Sequence, residues 1–218
     1  MHAFMSYQTD DRAIAARVSS LLGKLAITSF MAHEDIDVSA EWRAEILRQL
    51  SLADLFIPIL SANYYSSIWC KQESGIAAFR NDMTIIPLST DGAIPQGFFN
   101  HIQSTKIDPG APAYENLLPG LAKHDVSFLI DALTDIISKS GNYRTAESNF
   151  QMILPYIKHA RDKQVVELLR VSTKNDQVCN AGLCAQVYLP PLLASHGHLL
   201  DAATKKQLSD TLDRYKAK

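Results

Sequence analysis

Along the first half of the chain, short apolar runs alternate with stretches whose apolar residues recur every three or four positions. Residues 2–7 read as a buried strand. Asp10 and Asp11 then open a helix capped by Thr9 or Asp10, with Ile14, Val18, Leu21, Leu22 and Leu25 as its core face and Gly23 near its end. Residues 27–31 form a second strand. The polar, acidic loop 33–37 follows, and Ser39 is placed to cap a helix carrying Trp42, Ile46 and Leu50, with Glu41 in its first turn. Residues 54–60 are mostly apolar, as a parallel strand covered on both faces should be. Pro58 lacks the N–H a ladder needs, so pairing is expected to end or bulge there. A helix over 69–80 comes next, then a fourth strand over 84–88, where Pro87 raises the same objection. A loop over 90–100, a fifth strand near 104–107 and a helix over 114–123, which Pro119-Gly120 could interrupt, complete the alternation. Connections of this length predict an α/β fold: a flavodoxin-like parallel five-stranded sheet flanked by helices.

After about residue 124 strand-like runs become rare. Val126, Leu129, Ile130, Leu133 and Ile137 mark a helix that stops at Ser140-Gly141-Asn142. Residues 145–158 make a second, with Phe150, Ile153, Leu154 and Ile157 on one face and Pro155 bending or dividing it. A third apolar stretch covers 165–171, another covers 178–189 and is ended by Pro190-Pro191, and a last amphipathic helix covers 201–215 with Leu208, Leu212 and Tyr215. The expected division is an α/β domain over 1–123 and a helical C-terminal region, a bundle, over 124–218.

Composition narrows the function classes. With a net charge of −2 and a pI near 6.4, the 218 residues carry no basic excess of the kind nucleic acid or an anionic membrane surface would attract. Cys70, Cys179 and Cys184 are an odd number without metal-ligand spacing, which points to reduced thiols and a cytoplasmic location. The N-terminus enters a strand-like run directly, so no signal peptide is expected. No apolar stretch approaches the ~20 residues that span a bilayer.

The stretch 61–78 is the one with candidate chemistry. It leaves an apolar strand as a polar loop and becomes a helix, which places it at the carboxyl end of a strand, where open α/β sheets bind ligands. Trp69 and Glu73 are four apart and share one helix face. A carboxylate beside an aromatic wall can hold a ring and act on the bond next to it. The bland readings are a solvated surface glutamate and a core tryptophan. Other chemistries lack their residues. No Gly-rich loop follows the first strand, so neither a P-loop nor a dinucleotide fingerprint is present. The acidic residues of a phosphoacceptor receiver are missing from Ser6-Tyr7-Gln8 and Leu60-Ser61. The histidines show no nucleophile–base spacing, and His196-Gly197-His198 fits a turn better than a metal site, so no metal is expected.

The segment Ser61-Ala62-Asn63-Tyr64-Tyr65-Ser66-Ser67-Ile68-Trp69-Cys70-Lys71-Gln72-Glu73, with the opening strand His2-Ala3-Phe4-Met5-Ser6-Tyr7 about fifty positions earlier, resembles the two signatures of the Toll/interleukin-1 receptor (TIR) domain family, over roughly residues 1–115. The resemblance implies a bacterial-type domain that cleaves NAD+ at the nicotinamide–ribose bond, with NAD+ as substrate and no further cofactor. Glu73 would be the catalytic carboxylate. Trp69 would wall the pocket, and Tyr7, Gln8 and Thr9 would contact adenine and phosphate. Asp35 could meet a ribose hydroxyl. The products implied are ADP-ribose, a cyclic isomer or an ADP-ribosyl signal read by a downstream effector, in anti-phage defence. The resemblance also implies a homo-oligomer through TIR–TIR contacts, although Val38-Ser39 stands where the family commonly carries Pro-Gly. A second reading is a non-catalytic adaptor acting by TIR–TIR association. Since the resemblance already supplies an α/β unit before residue 124, the helices beyond it are expected to serve regulation or assembly.

Overall fold

In a computed structural model, which describes residues 1–32 and 42–216, the chain divides into two compact units, Met1–His124 and Asp125–Lys218. The first unit is built on a parallel sheet of six strands: β1 (His2–Ser6), β2 (Thr28–Met31), β3 (Leu55–Leu60), β4 (Thr84–Ile85), β5 (Leu88–Ser89) and β6 (Thr105–Lys106). The order is β2-β1-β3-β5-β6, with β4 also on β3, so β4 and β5 are two pieces of one strand position. With them merged, the order is that of the flavodoxin-like sheet the alternation predicts.

Two prolines make the split. β3 stays paired with β1 through Pro58, which sits opposite Ser6. On its other edge Phe56 accepts from the Ile86 N–H at 2.9 Å. Pro58, two positions on, faces the same side but has no N–H to return to Ile86. Pairing resumes only at Ile59–Leu88 and Leu60–Ser89, beyond Pro87. The expected interruption at Pro58 therefore occurs on one edge of the strand and not on the other.

β3 is buried throughout. Side chains alternate across the sheet, so Phe4, Phe30 and Phe56, which are in register, form a row on one face. Their rings lie 5.4 and 5.9 Å from the central Phe4. That face is covered by Ile46 and Leu50 of α2 (Trp42–Leu52) and by Ala77 of the helix that follows β3. α1 (Arg12–Lys24) buries Ala15, Val18 and Leu22. It begins two residues later than the acidic pair suggested: Gln8 caps a short 3-10 turn, Thr9–Asp11, that precedes it. α1 ends with Ala26 in the left-handed region (φ 57). The Ala26 N–H bonds Gly23 O at 3.1 Å and the Ile27 N–H bonds Leu22 O at 2.9 Å, the pairing of a Schellman cap.

After β3 come α3 (Ala62–Ser66) and α4 (Ile68–Phe79), and after β6 comes α5 (Leu118–Ser138). Pro119 and Gly120 lie inside the first turn of α5, where a missing N–H is tolerated, so they do not interrupt it. A Cβ on Gly120 would fall 2.6 Å from the Ile86 side chain, so this turn is as close to the sheet as glycine allows. The helical course of α5 breaks at Asp125 (φ −151), whose carboxylate accepts from the Phe128 N–H at 2.9 Å.

The second unit is helical: the remainder of α5, α6 (Tyr143–Ile153), α7 (Asp162–Lys174), α8 (Asp176–Cys179), α9 (Leu189–His196) and α10 (Ala202–Lys216). Pro155 divides rather than bends the second helix, which continues as a 3-10 stretch, Leu154–His159. The expectation that Pro190-Pro191 ends a helix is corrected: the helical course runs unbroken from Gly182 through a π-helix, Cys184–Tyr188, into α9, which carries both prolines just after it. Leu129, Leu133, Phe150, Leu168, Leu189 and Leu208 are buried. No helix among the described residues is long and apolar enough to cross a membrane.

Candidate functional site

The loop after β3 is built from two consecutive serine caps. Ser61 caps α3 by accepting from the Tyr64 N–H at 3.0 Å, and Ser67 caps α4 by accepting from the Cys70 N–H at 3.3 Å. Ser61 spends its own proton on Asp11, at 2.6 Å, which ties this loop to the one after β1. β1 and β3 are neighbours, and the strand order reverses between them, so the site lies at the topological switch point of the sheet.

The turn of α4 sets out Trp69, Gln72, Glu73 and Ile76 along one face. Together with Trp42, Arg43, Ile46 and Leu47 of α2 they line a cavity of 160 Å³. Trp42 and Trp69 meet edge to face at 4.2 Å and are 43% and 46% exposed. A cavity of this size suits a single ring. Pockets that enclose larger ligands run to several hundred Å³, so the rest of a dinucleotide would lie outside it.

Glu73 is only 7% exposed. It accepts from Ser6 Oγ at 2.5 Å, a hydroxyl at the end of β1 that is itself fully buried. Burial pushes its carboxyl up to about 7, and the Ser6 hydrogen bond partly offsets that shift. Ser6 Oγ also lies 3.1 Å from the Tyr64 hydroxyl, which is 2.7 Å from Ser74 Oγ. Burial raises the Tyr64 phenol well above its ordinary range. The Cys70 thiol is pushed up to about 11, chiefly by burial, so it is a buried apolar group rather than a nucleophile.

Of the residues singled out in the sequence, Trp69 and Glu73 come together on one cavity wall. Trp69 is half exposed rather than a core aromatic. Tyr7 is buried. Gln8 Oε1 accepts from the Asp10 N–H at 2.6 Å, and Thr9 is exposed on the turn that this cap begins. Asp35 lies outside the described residues. Sequence reasoning missed Ser6 and Tyr64 as neighbours of Glu73 and Trp42 as a lining residue. A signal for Trp42 was available: the chain has two tryptophans, and the apolar spacing already put each of them on a helix.

Elsewhere, Ser195 Oγ lies 2.8 Å from His196 Nδ1, and His196 Nε2 lies 3.5 Å from Asp162. Ser195 Oγ also lies 2.9 Å from the Pro191 carbonyl and 3.2 Å from the Leu192 carbonyl, back-bonds within α9 that compete with His196 for its proton. No group of three or more metal-ligating side chains stands together among the described residues. A second cavity, of 240 Å³, lies between α9 and α10 and is lined by Pro190, Leu193, Ala194, Ser209, Leu212 and Asp213.

No curated protein matches the chain. A family model described as the TIR domain matches residues 3–118.

Proposed function

Because the chain belongs to the TIR domain family, which includes NAD-cleaving enzymes, we propose that it cleaves NAD+ at the nicotinamide–ribose bond with Glu73 as the catalytic carboxylate. The observation that carries this reading is Glu73 itself: a glutamate buried at the rim of a tryptophan-walled cavity, whose hydrogen-bond partner is a hydroxyl rather than a cation. A carboxylate kept for stability alone would gain from a cation beside it, because burial without one costs stability.

The chemistry suits such a group. The glycosidic bond breaks with its electron pair moving to the nicotinamide nitrogen, which leaves neutral, and the ribose becomes an oxocarbenium-like centre. An ionised Glu73 would stabilise that positive charge and orient the ribose hydroxyls. The two tryptophans would hold the nicotinamide ring by stacking or edge contact. Water, or a nucleophile within the ADP-ribose itself, then completes hydrolysis or cyclisation. Tyr7, Gln8, Thr9 and Asp35 remain proposed contacts to the rest of the dinucleotide. We further propose TIR–TIR assembly of the active form, and a product read by a downstream effector in anti-phage defence.

The test is nicotinamide release from NAD+ by the purified protein and by Glu73→Gln. The variant is expected to fold and to lose activity by about a hundredfold or more. Unchanged release would remove Glu73 from the chemistry. A wild-type protein that self-associates but releases no nicotinamide at any concentration would favour the adaptor reading.

A further inference from the structure

The groups behind Glu73 form a connected series of hydroxyls. Ser6 Oγ donates to Glu73 Oε2 at 2.5 Å. A serine has one proton, so with Glu73 ionised the oxygen of Ser6 can only accept in its 3.1 Å contact with the Tyr64 hydroxyl. Tyr64 therefore donates to Ser6. Its proton has two other acceptors within reach, Ser74 Oγ at 2.7 Å and the Cys70 carbonyl at 3.4 Å, but donation to either leaves the contact with Ser6 without a proton. With its proton spent, Tyr64 must accept in its 2.7 Å contact with Ser74 Oγ. Only one direction makes all three contacts hydrogen bonds at once: Ser74 to Tyr64 to Ser6 to Glu73. Ser6, Tyr64 and Glu73 are buried and Ser74 is half-buried, so the series runs inward from Ser74 to the carboxylate.

We propose that Ser74, Tyr64 and Ser6 form a directional hydroxyl relay that fixes the orientation of the Glu73 carboxylate and favours its ionised form, with Tyr64 as the positioning residue at its centre. This rests on the reading of Glu73 as the catalytic group. Each donor in such a series is polarised by the one behind it, which strengthens the bond that reaches the carboxylate. Among the described residues, the other titratable or charged groups near Glu73 are Cys70 on its own helix and Arg43 of α2 on the same cavity, while β1 contributes Ser6, which does not titrate. Without the phenol, Ser6 still donates to Glu73 but loses the donor behind it. The carboxylate is then less well supported and takes up a proton at higher pH.

The experiment uses the full chain as Tyr64→Phe, Ser74→Ala and Ser74→Thr, with Glu73→Gln as the reference. Two pH series are recorded: kcat and KM for NAD+, and the thermal midpoint. For Tyr64→Phe, kcat is expected to fall severalfold with KM nearly unchanged, and its acid limb to move up by about one pH unit. Ser74→Ala should shift the limb the same way by less, and Ser74→Thr, which keeps the hydroxyl, should restore it. The part of the Tm–pH curve that is absent in Glu73→Gln should move by the same amount, and this readout needs no NAD+. A protein that does not cleave NAD+ would thus fail the functional reading while the Tm series still decides the relay. If Tyr64→Phe does not fold, Ser74→Ala decides, since its side chain is half-buried. Titrations of Tyr64→Phe and Ser74→Ala that superimpose on wild type overturn the relay, as does a rise in KM alone.

Discussion

Glu73 places activity and stability in opposition. Its carboxyl titrates near 7 in the folded chain and near its ordinary 4.5 once unfolded. Below the unfolded value both states are protonated and the buried group carries no charge penalty. Between the two values the folded state keeps a proton that the unfolded state has released, so stability falls as pH rises from about 4.5 to about 7, by an amount on the order of 3 kcal/mol, and levels off once the folded group is ionised. NAD+ cleavage, which needs the ionised form, should rise through about pH 7, as that loss becomes complete. Glu73→Gln is therefore expected to be inactive, yet more stable than wild type at alkaline pH and less distinguishable from it in acid. Thermal midpoints across the pH range check this, and a destabilised Gln variant at alkaline pH would show that the carboxylate serves the fold. That Trp69 and Glu73 share a face was legible in the sequence, because four residues make one helical turn. The Ser6 contact was not. It joins positions 67 apart and depends on how α4 sits against the end of β1.

At the scale of elements, local pattern placed the strands and helices of the first unit to within a few residues, because alternation and capping act over short distances. Errors came where one residue type serves two positions. Proline can end a helix or be carried where the helix widens, and at Pro190-Pro191 the second applies, just after the π-helix Cys184–Tyr188. The end of α1 shows a related ambiguity. Gly23 stands near it, but the left-handed cap residue is Ala26. Ala26 is exposed, and the left-handed conformation costs a non-glycine residue about 1–2 kcal/mol, so Ala26→Gly should stabilise by up to about 1 kcal/mol after glycine's own entropy loss. A urea midpoint moved upward with an unchanged slope would show it. Gly120 gives the opposite sign. Alanine is the better helix former, but its Cβ would meet Ile86, so Gly120→Ala should destabilise by about 1–3 kcal/mol. A variant as stable as wild type would mean that Ile86 can rotate away.

For the whole molecule, the division after His124 leads us to propose that residues 1–124 fold alone and that the helices of 125–218 serve regulation or assembly. The shortened chain is then expected to be folded by circular dichroism, with specific activity that depends on protein concentration differently from the full chain. Precipitation of residues 1–124 would assign those helices to its stability instead. Within the first unit, the two prolines have a consequence in time. A ladder broken on one edge need not open as a single piece. The amides of Thr84 and Ile86 hold to Asp54 and Phe56 on one side of the gap, and those of Thr90, Thr105 and Ile107 hold to Leu60, Pro87 and Ser89 on the other. Deuterium uptake should therefore resolve two populations in this sheet. The amides of β5, β6 and the residues next to them would open first, since that part holds the edge strand β6, while those bonded to Asp54 and Phe56, on the part of β3 that is also paired with β1, stay closed until the unit unfolds.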